Sequence, residues 1–269
     1  MKTPKSMIHS PEGQRPDRLS AFFGAFELSV TIIAAEARHA PANLVIAGKG
    51  GGADRVIFWP RSRAVPRMRD QILVAAVIDF GGRTNPLMNA MPERVEIPLV
   101  EFPTVQAIAA AFVAEARDVR CGRQTALDRL CEVILLMVLR RAVDLGSTGP
   151  GLLAGLSHPE LHRALVAMHD QPARAWRTEE LAEISGMSRS RFMSLFPGIV
   201  GTTPAAYLNR WRLTLGQREL QRGERVKLVA RRVGFGSAAA FSRAYSRTFG
   251  HPPATIRDGA VRPPNRARG

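Results

Sequence analysis

The sequence predicts an α+β protein in which a small β-sheet or barrel domain with two following helices precedes an all-α domain. Three observations predict this order. Short runs of β-branched residues fill the first hundred positions, an apolar periodicity of helical spacing follows, and a helix-turn-helix pattern occurs twice in the last hundred positions. The length of 269 residues agrees with about two domains.

The β-like runs lie between Leu19 and about Leu99 and are separated by Gly, Pro and Asn. They are LSVTIIAAEA, ANLVIAG, RVIFWP, ILVAAVIDF and RVEIPLV. Ser20–Phe26 is predicted as a short helix ahead of them. Residues 49–54, KGGGAD, lack the spacing of a phosphate-binding loop, and a hairpin loop between two strands is the better interpretation.

Two helices are predicted after the sheet. Thr104–Arg117 can place its apolar residues on one face, and Thr125–Val143 is apolar over most of its circumference. A helix of the second kind is buried on several sides, against the sheet, against the preceding helix or against a second copy of itself. We take it as the dimerisation element and expect a homodimer. Cys121 and Cys131 flank its start, and a core position for Cys131 is favoured over a redox pair.

A segment rich in Gly, Ser and Pro predicts a linker over residues 147–157, so that residues 19–146 form the first domain. His158, His162 and His169 then recur at helical spacing. No cysteine or carboxylate set completes a metal site around them, and the polar face of a helix is the favoured interpretation. We expect no metal and no cofactor.

The repeated pattern reads LAEISGMSRSRFMSLFPGIVGTTP from Leu181 and VARRVGFGSAAAFSRAYSRTFGHPP from Val229. Each copy has a short helix, a glycine turn, a serine in position to cap the next helix, and a longer amphipathic helix. We call residues 178–200 the first unit, with Thr178 as its predicted N-cap, and residues 226–249 the second unit. The apolar spacing between the units predicts a long helix that holds them at a fixed separation.

The positive charge is concentrated where the pattern repeats. The chain has 38 Lys and Arg against 23 Asp and Glu, a formal charge of +15. Residues 158–269 hold 19 of these basic residues and 8 of the acidic ones, a net charge of +11. An excess of this kind on one domain indicates contact with a polyanion such as nucleic acid.

The remaining composition predicts a cytoplasmic protein. Two cysteines are too few for a disulfide framework. The first residues lack the apolar core of a signal peptide, and no apolar run approaches the ~18 residues of a membrane span. Residues 1–18 are expected to be a disordered tail and residues 258–269 a basic tail.

Residues 158–257 resemble the DNA-binding domain of the AraC/XylS family of bacterial transcription regulators. The resemblance is carried by LAEISGMSRSRF, AYLNRWRL, RRVGFGS and FSRAYSRTFGHPP, which occur in the same order. Residues 19–146 resemble, more weakly, the cupin-type sensor domain of that family. The matching stretches there are DFGGRTNPLMNAMP and LDRLCEVILLMVLRRAVD.

The resemblance implies a transcription regulator that is not an enzyme. Its two recognition helices would enter adjacent major-groove segments of double-stranded DNA at a promoter or operator. The N-terminal domain would dimerise and bind a small-molecule effector, and RNA polymerase would be a partner. An alternative is a constitutive or partner-controlled DNA binder whose shortened sensor domain binds no small molecule. A third hypothesis, a metal-dependent cupin or DNA-modifying enzyme, has no supporting ligand cluster in the sequence.

By position, the first recognition helix is Ser188–Phe196 and the second is Ser237–Phe249. In the second, Arg243 would supply most of the direct base contacts, because alanine cannot make a bidentate contact. Pro197 is expected to end or bend the first recognition helix, and sequence discrimination is expected to depend mainly on the first unit. The residues expected to face DNA are Ser188, Arg189, Ser190, Arg191, Ser194, Ser237, Ala239, Ala240, Arg243 and Arg247.

Overall fold

A computed structural model describes residues 17–33, 42–61, 71–81, 85–146 and 149–259. The strands are β1 (Ser29–Ile33), β2 (Leu44–Lys49), β3 (Gly52–Phe58), β4 (Gln71–Asp79) and β5 (Val95–Pro98). The helices are α1 (Ser20–Ala25), α2 (Pro86–Ala90), α3 (Pro103–Arg117), α4 (Arg123–Leu145), α5 (Leu152–Ser157), α6 (Leu161–Asp170), α7 (Thr178–Ile184), α8 (Arg189–Val200), α9 (Pro204–Gln221), α10 (Val226–Arg232), α11 (Ala238–Phe249) and α12 (Ala254–Gly259). The predicted α+β class, with a sheet domain followed by helices and then an all-α domain, is confirmed.

The five strands pair antiparallel in the order β1-β4-β2-β3-β5. The central strand β2 is buried from Leu44 to Gly48. Its hairpin with β3 turns at Gly50 and Gly51, whose φ angles of 60° and 85° lie in the left-handed region. Glycine adopts that conformation without steric cost, and the hairpin loop predicted at residues 49–54 is confirmed.

Helices α3 and α4 pack against the sheet. Ile46, Phe58 and Ile97 lie in one buried core with Phe112 of α3 and Leu135 of α4. Most of the apolar circumference of α4 is covered within the chain, since α4 contacts α3, α5, β1 and β5, whereas Val133 is exposed. Two of the three environments proposed for this helix, the sheet and the preceding helix, are therefore confirmed. Its role in a homodimer stays a prediction.

The segment predicted as a linker, residues 147–157, is in large part a packed helix. Residues 147–148 lie outside the described residues. Leu152, Leu153 and Leu156 of α5 are buried, and α5 contacts α2, α4, α6 and α8. Three leucines in six residues bury enough apolar surface to order this segment, although the glycines before it indicated a linker.

The C-terminal half places the two units at opposite ends of α9. Helices α7 and α8 form the first unit, and α10 and α11 form the second. The N-cap of α9 is Thr203, whose hydroxyl accepts the backbone N–H of Ala206 at 3.3 Å. Pro204 occupies the first helical position, where its missing N–H costs nothing. The predicted long connecting helix is confirmed.

The buried apolar residues form two clusters. The larger cluster runs from the sheet through α3 to α6 and includes α8 and the first half of α9. The smaller cluster, which we call the second core, joins the second half of α9 to α10 and α11. Its buried members are Leu213, Leu220, Val229, Ala230, Val233, Phe241 and Tyr245. The first unit therefore shares a core with the sheet domain, and the second unit has a core of its own.

Pro197 was expected to end or bend the first recognition helix, and the expected end is wrong. Helix α8 continues through the proline to Val200. Proline removes one backbone N–H from a helix, and the turn that follows must be held by other contacts. Here the Gly151 N–H donates to the Ile199 carbonyl at 2.8 Å, and Val200 is buried. These tertiary contacts stabilise the last turn of α8.

Two residues of the predicted N-terminal tail make defined contacts. The Asp17 carboxylate accepts two backbone N–H groups at the start of α1. Arg18 donates its Nη1 to the Leu156 carbonyl at 2.8 Å. Residues 1–16 and 260–269 lie outside the described residues. None of the described helices combines the length and the apolar character that a membrane-spanning helix needs.

Candidate nucleic-acid interface

The first unit begins with α7. Its N-cap is Arg177, one residue before the predicted Thr178. Glu180 explains the shift, because its carboxylate accepts the Arg177 backbone N–H at 2.9 Å. After α7 the chain turns at Gly186, whose φ of 69° is in the left-handed region. This turn directs the chain into α8.

Helix α8 is fixed by its inner face. The Ser188 hydroxyl accepts the Arg191 backbone N–H at 3.3 Å, so the predicted N-cap is confirmed. Phe192 and Phe196 are fully buried with ring centroids 5.4 Å apart, and Leu195 is half-buried beside them. The opposite side of α8 faces solvent.

The exposed side of α8 is centred on two serines. Because successive residues advance about 100° around an α-helix, Ser190 and Ser194 lie opposite the buried phenylalanines. Both serines are exposed, and so are Arg191 on one flank of this face and Met193, followed by Arg189, on the other. The exposed surface of α8 therefore consists of two hydroxyl groups with Arg191 on one side and Met193 and Arg189 on the other.

Both flanking arginines are held by carboxylates. Arg189 Nε lies 2.7 Å from Glu179 Oε1 on α7. Arg191 Nη2 lies 2.9 Å from Glu160 Oε2, in the turn before α6. The arginine side chains are still 66% and 59% exposed, so the pairs lie at the surface and leave other guanidinium N–H groups accessible.

The second unit repeats this construction. Gly234 turns the chain with a φ of 88°, and the Ser237 hydroxyl accepts the Ala240 backbone N–H at 3.1 Å. Ser237 is thus the N-cap of α11, as predicted. Phe241 and Tyr245 are fully buried with ring centroids 5.6 Å apart. Helix α11, like α8, is anchored by two aromatic rings.

The exposed face of α11 differs from that of α8. Ala239, Arg243 and Arg247 are exposed, Ser237 precedes them at the exposed cap, and Ala240 is half-buried. Arg243 takes the central place, which Ser194 holds in α8. Among the carboxylates whose side chains the structure describes, which do not include Asp258, none lies within ion-pair distance of Arg243 or Arg247. The second unit thus presents unpaired positive charge at the middle of its face.

The segment between α6 and α7 fixes the units relative to α9. Arg212 of α9 donates its Nε to the Pro172 carbonyl at 2.6 Å and its Nη2 to the Arg174 carbonyl at 2.8 Å. The turn of the second unit touches the same segment, since a Cβ on Gly234 would lie 2.6 Å from Ala173 Cα. One short segment therefore contacts both α9 and the second unit.

The three histidines do not form the predicted polar helix face. His158 Nδ1 accepts the Leu161 backbone N–H at 3.2 Å at the start of α6, whereas His162 and His169 are buried. His169 Nε2 lies 2.6 Å from the Tyr207 hydroxyl. Complete burial lowers the pKa of His169 from its ordinary 6.5 to about 3, so its ring is neutral near pH 7. The prediction failed because the rings of His162 and His169 pack inside the core.

The cysteines are in different environments. Cys121 is exposed and Cys131 is buried, as expected for a small core residue. Burial, and then the nearby Asp128 carboxylate, raises the pKa of the Cys131 thiol to about 12. A thiol of this kind stays protonated and is a poor nucleophile. Among the described residues, no group of three or more His, Cys, Asp or Glu side chains could hold a metal ion.

Sequence reasoning missed the two glutamates that hold the arginines of α8. Sequence spacing predicts ion pairs between residues three or four positions apart in one helix. Glu160 is 31 positions before Arg191, and Glu179 and Arg189 lie on different helices. Only the fold brings these residues together, so the sequence contains no local signal for the pairs.

Comparison with known proteins matches both halves of the chain. A helix-turn-helix domain model matches residues 181–259, and a cupin model matches residues 29–144. The HTH-type transcriptional regulator AlkR of Acinetobacter baylyi is 34% identical over 174 residues, 63% of this chain and 57% of AlkR. A putative AraC-like transcription regulator of Streptomyces lividans is 33% identical over 194 residues, 70% of this chain and 64% of that protein. This chain belongs to the AraC family.

A solved structure also resembles part of the chain. A transcriptional regulator of the AraC-type DNA-binding domain class from Chromobacterium violaceum is 27% identical, with a TM-score of 0.37 over 39% of this chain and 95% of that one. The chain spans less than two thirds of the length of the two curated relatives, 57% and 64%. Both relatives are named as transcription regulators.

Proposed function

We propose that this AraC-family protein is a sequence-specific DNA-binding transcription regulator and not an enzyme. The observation that carries the proposal is the repeated construction of its two units. Each has a serine-capped helix that buries two aromatic rings and exposes a polar or basic face. Two such helices joined by α9 are suited to adjacent major-groove segments, about one helical turn apart.

The proposed contacts divide between bases and phosphates. In the first unit, Ser190, Ser194 and the flanking arginines lie on the solvent-facing side and would contact base edges. In the second unit, Arg243 occupies the centre of the exposed face and would make a bidentate base contact. Arg247, one turn further along α11, would contact phosphate. The DNA-facing set is Ser188, Arg189, Ser190, Arg191, Ser194, Ser237, Ala239, Ala240, Arg243 and Arg247.

The charge distribution supports this surface as the one that meets DNA. The net charge of +11 in residues 158–269 attracts phosphates and releases counterions on binding. Much of this charge lies in the second unit and in the residues just before it. Arg225, Lys227 and Arg231 are exposed there. The second unit would therefore contribute strongly to placement on the duplex.

We further propose that an effector bound to the N-terminal domain controls the protein. Support comes from a cleft of about 430 Å³ where the sheet domain meets α9. Its lining combines carboxylates and an arginine, in the set Glu27, Leu28, Ser29, Asp79, Gly81, Arg218 and Gln221. A ligand there would touch the sheet domain and the connecting helix together. A homodimer, a contact with RNA polymerase and a cytoplasmic location are part of the same proposal.

Selection of bound duplexes from a random pool tests DNA recognition. We expect a recovered motif with two elements about 10 base pairs apart, one for each unit. A single short element would show that only one unit contacts bases. Recovery of no motif, with equal binding to all duplexes, would contradict sequence-specific regulation.

Thermal unfolding in the presence of metabolites tests effector control. A ligand at 100 times its dissociation constant stabilises the folded state by about 2.7 kcal/mol, which raises the melting temperature measurably. If no metabolite shifts the transition while DNA binding is intact, the alternative of a constitutive or partner-controlled DNA binder is favoured. Stoichiometric metal in the purified protein would instead support a metal-dependent enzyme.

A further inference from the structure

We infer that Glu160 and Glu179 are positioning residues that determine how well the protein discriminates between its target and other DNA. The inference rests on the proposed function, because it concerns the arginines of the first recognition helix, α8. Neither glutamate lies on that helix. Glu160 also precedes the region matched by the helix-turn-helix domain model, residues 181–259.

The two glutamates hold α8 arginines from opposite sides. Glu179, in the first turn of α7, pairs with Arg189 at 2.7 Å. Glu160, in the turn before α6, pairs with Arg191 at 2.9 Å. Arg189 and Arg191 flank the serines at the centre of the exposed face. Each guanidinium is therefore fixed at the edge of that face by one of its N–H groups, and its remaining N–H groups stay accessible.

The second unit has no equivalent arrangement in the described residues. Arg243 and Arg247 of α11 have no carboxylate partner among the described side chains, which exclude Asp258. The glutamates nearest in sequence, Glu219 and Glu224, pair with Arg232 at the end of α10, at 3.3 and 3.1 Å. The arginines of the two recognition helices thus differ in their electrostatic state, paired in the first and unpaired in the second.

Paired and unpaired arginines contribute differently to the two modes of DNA binding. Non-specific binding depends on net positive charge, because it is driven by counterion release. A carboxylate beside an arginine cancels that charge and repels phosphate. Base recognition depends on hydrogen-bond donors in a fixed geometry, which the pair preserves. The two glutamates therefore weaken attachment to arbitrary DNA and keep Arg189 and Arg191 oriented for base edges.

The size of the effect follows from the exposure of the pairs. Exposed ion pairs are worth 0.2–1 kcal/mol, which corresponds to between about 1.4-fold and 5-fold in affinity for each pair. Freeing one arginine to contact one more phosphate steepens the dependence of log affinity on log salt by about 0.9. Both quantities lie within the range of fluorescence anisotropy.

The test compares Glu160→Gln, Glu179→Gln and their double variant with Glu183→Gln in the full chain. Glu183 is an exposed residue of α7 and has no ion-pair partner among the described residues, so its substitution adds the same charge without freeing an arginine. Affinity is measured against a selected duplex and a random duplex at several salt concentrations. We expect the double variant to bind random DNA more tightly, with a steeper salt slope and a smaller specific-to-random ratio than Glu183→Gln.

Two results would overturn the inference. One is an unchanged affinity and salt slope on random DNA, and the other is an equal gain on both duplexes that Glu183→Gln reproduces. Introducing Glu160→Gln into an Arg191→Gln background gives a second measurement, because the effect of the glutamate should vanish without its arginine. If the wild-type protein binds no DNA, the proposed function fails; if it binds and the ratio does not change, only this inference fails.

Discussion

The ring of Phe22 in α1 meets the ring of Trp211 in α9 at a centroid distance of 5.1 Å and an interplanar angle of 61°. Phe22 also lies 4.9 Å from the ring of His169 in α6. Next to this cluster, Arg222 near the end of α9 forms an ion pair with Glu27. The helix that precedes the sheet is therefore packed into the C-terminal domain. The two domains share one core at this point.

Replacing Phe22 with Ala should destabilise the whole protein. Phe22 is fully buried, and truncation of a buried phenylalanine costs about 3–5 kcal/mol because a cavity remains. Urea denaturation followed by circular dichroism measures the loss. Val119→Ala is the matched control, since Val119 is 96% exposed and should cost almost nothing. A loss below about 1 kcal/mol for Phe22→Ala would show that α1 is not part of the shared core.

His169 should make the protein less stable in mild acid. Its pKa is lowered from 6.5 to about 3 by burial, so the unfolded chain binds a proton that the folded chain excludes. The contribution of the neutral His169 ring to the free energy of unfolding is fully present above pH 6.5. It is lost progressively as the pH falls from 6.5 towards 3. Between pH 7.5 and 5 the loss is about 2 kcal/mol. His162, whose pKa burial also lowers, adds to the loss in the same direction.

The variant His169→Gln separates this contribution from the rest. We expect the free energy of unfolding of this variant to fall by about 2 kcal/mol less than that of the wild type between pH 7.5 and 5. Val119→Ala, at an exposed position without a titratable group, serves as the control and should retain the wild-type pH dependence. Equal pH dependence in all three proteins would mean that His169 is accessible to protons in the folded state.

Elements with a strong local pattern could be predicted from the sequence. The two serine caps, the aromatic pairs of α8 and α11 and the long helix between the units follow from spacing alone. The strands followed from short β-branched runs between turn residues. These features depend on residues close together in the chain, which a periodicity can reveal.

Features that depend on distant contacts could not be predicted. Pro197 indicated the end of a helix, but the Gly151 N–H and the packing of Val200 hold the next turn in place. His169 was predicted to lie on the polar face of a helix, but it is buried beside Tyr207. The Glu160 to Arg191 pair joins residues 31 positions apart. In each case the deciding partner comes from another element, and one sequence contains no signal for it.

Gly234 should tolerate alanine much less well than its counterpart Gly186. Both have a positive φ, 88° and 69°, so a Cβ strains the backbone by about 1–2 kcal/mol in each. At Gly234 the Cβ would also lie 2.6 Å from Ala173 Cα, a backbone atom that cannot move aside. At Gly186 the nearest atom is a flexible Arg163 side-chain nitrogen at 4.0 Å.

Thermal unfolding of Gly234→Ala and Gly186→Ala measures the difference. We expect the variant of the second unit to lose more stability than the variant of the first. Gly236→Ala is a further control, because no atom lies within 4 Å of its added Cβ. Equal losses at the two turns would show that the second unit shifts away from Ala173 without cost.

Arg243→Ala should weaken binding to a selected duplex by about 1–3 kcal/mol and relax the preference at one base position. The reason is the central place of Arg243 on α11, where a bidentate contact with guanine can form. Arg247→Ala is the comparison, since its position one turn along α11 favours a phosphate contact. It should weaken binding to selected and random duplexes alike and flatten the salt slope. Anisotropy titrations with both duplexes distinguish the two roles. If Arg243→Ala loses the same affinity for the selected and the random duplex, Arg243 is a phosphate contact. Base recognition would then be left to the first unit.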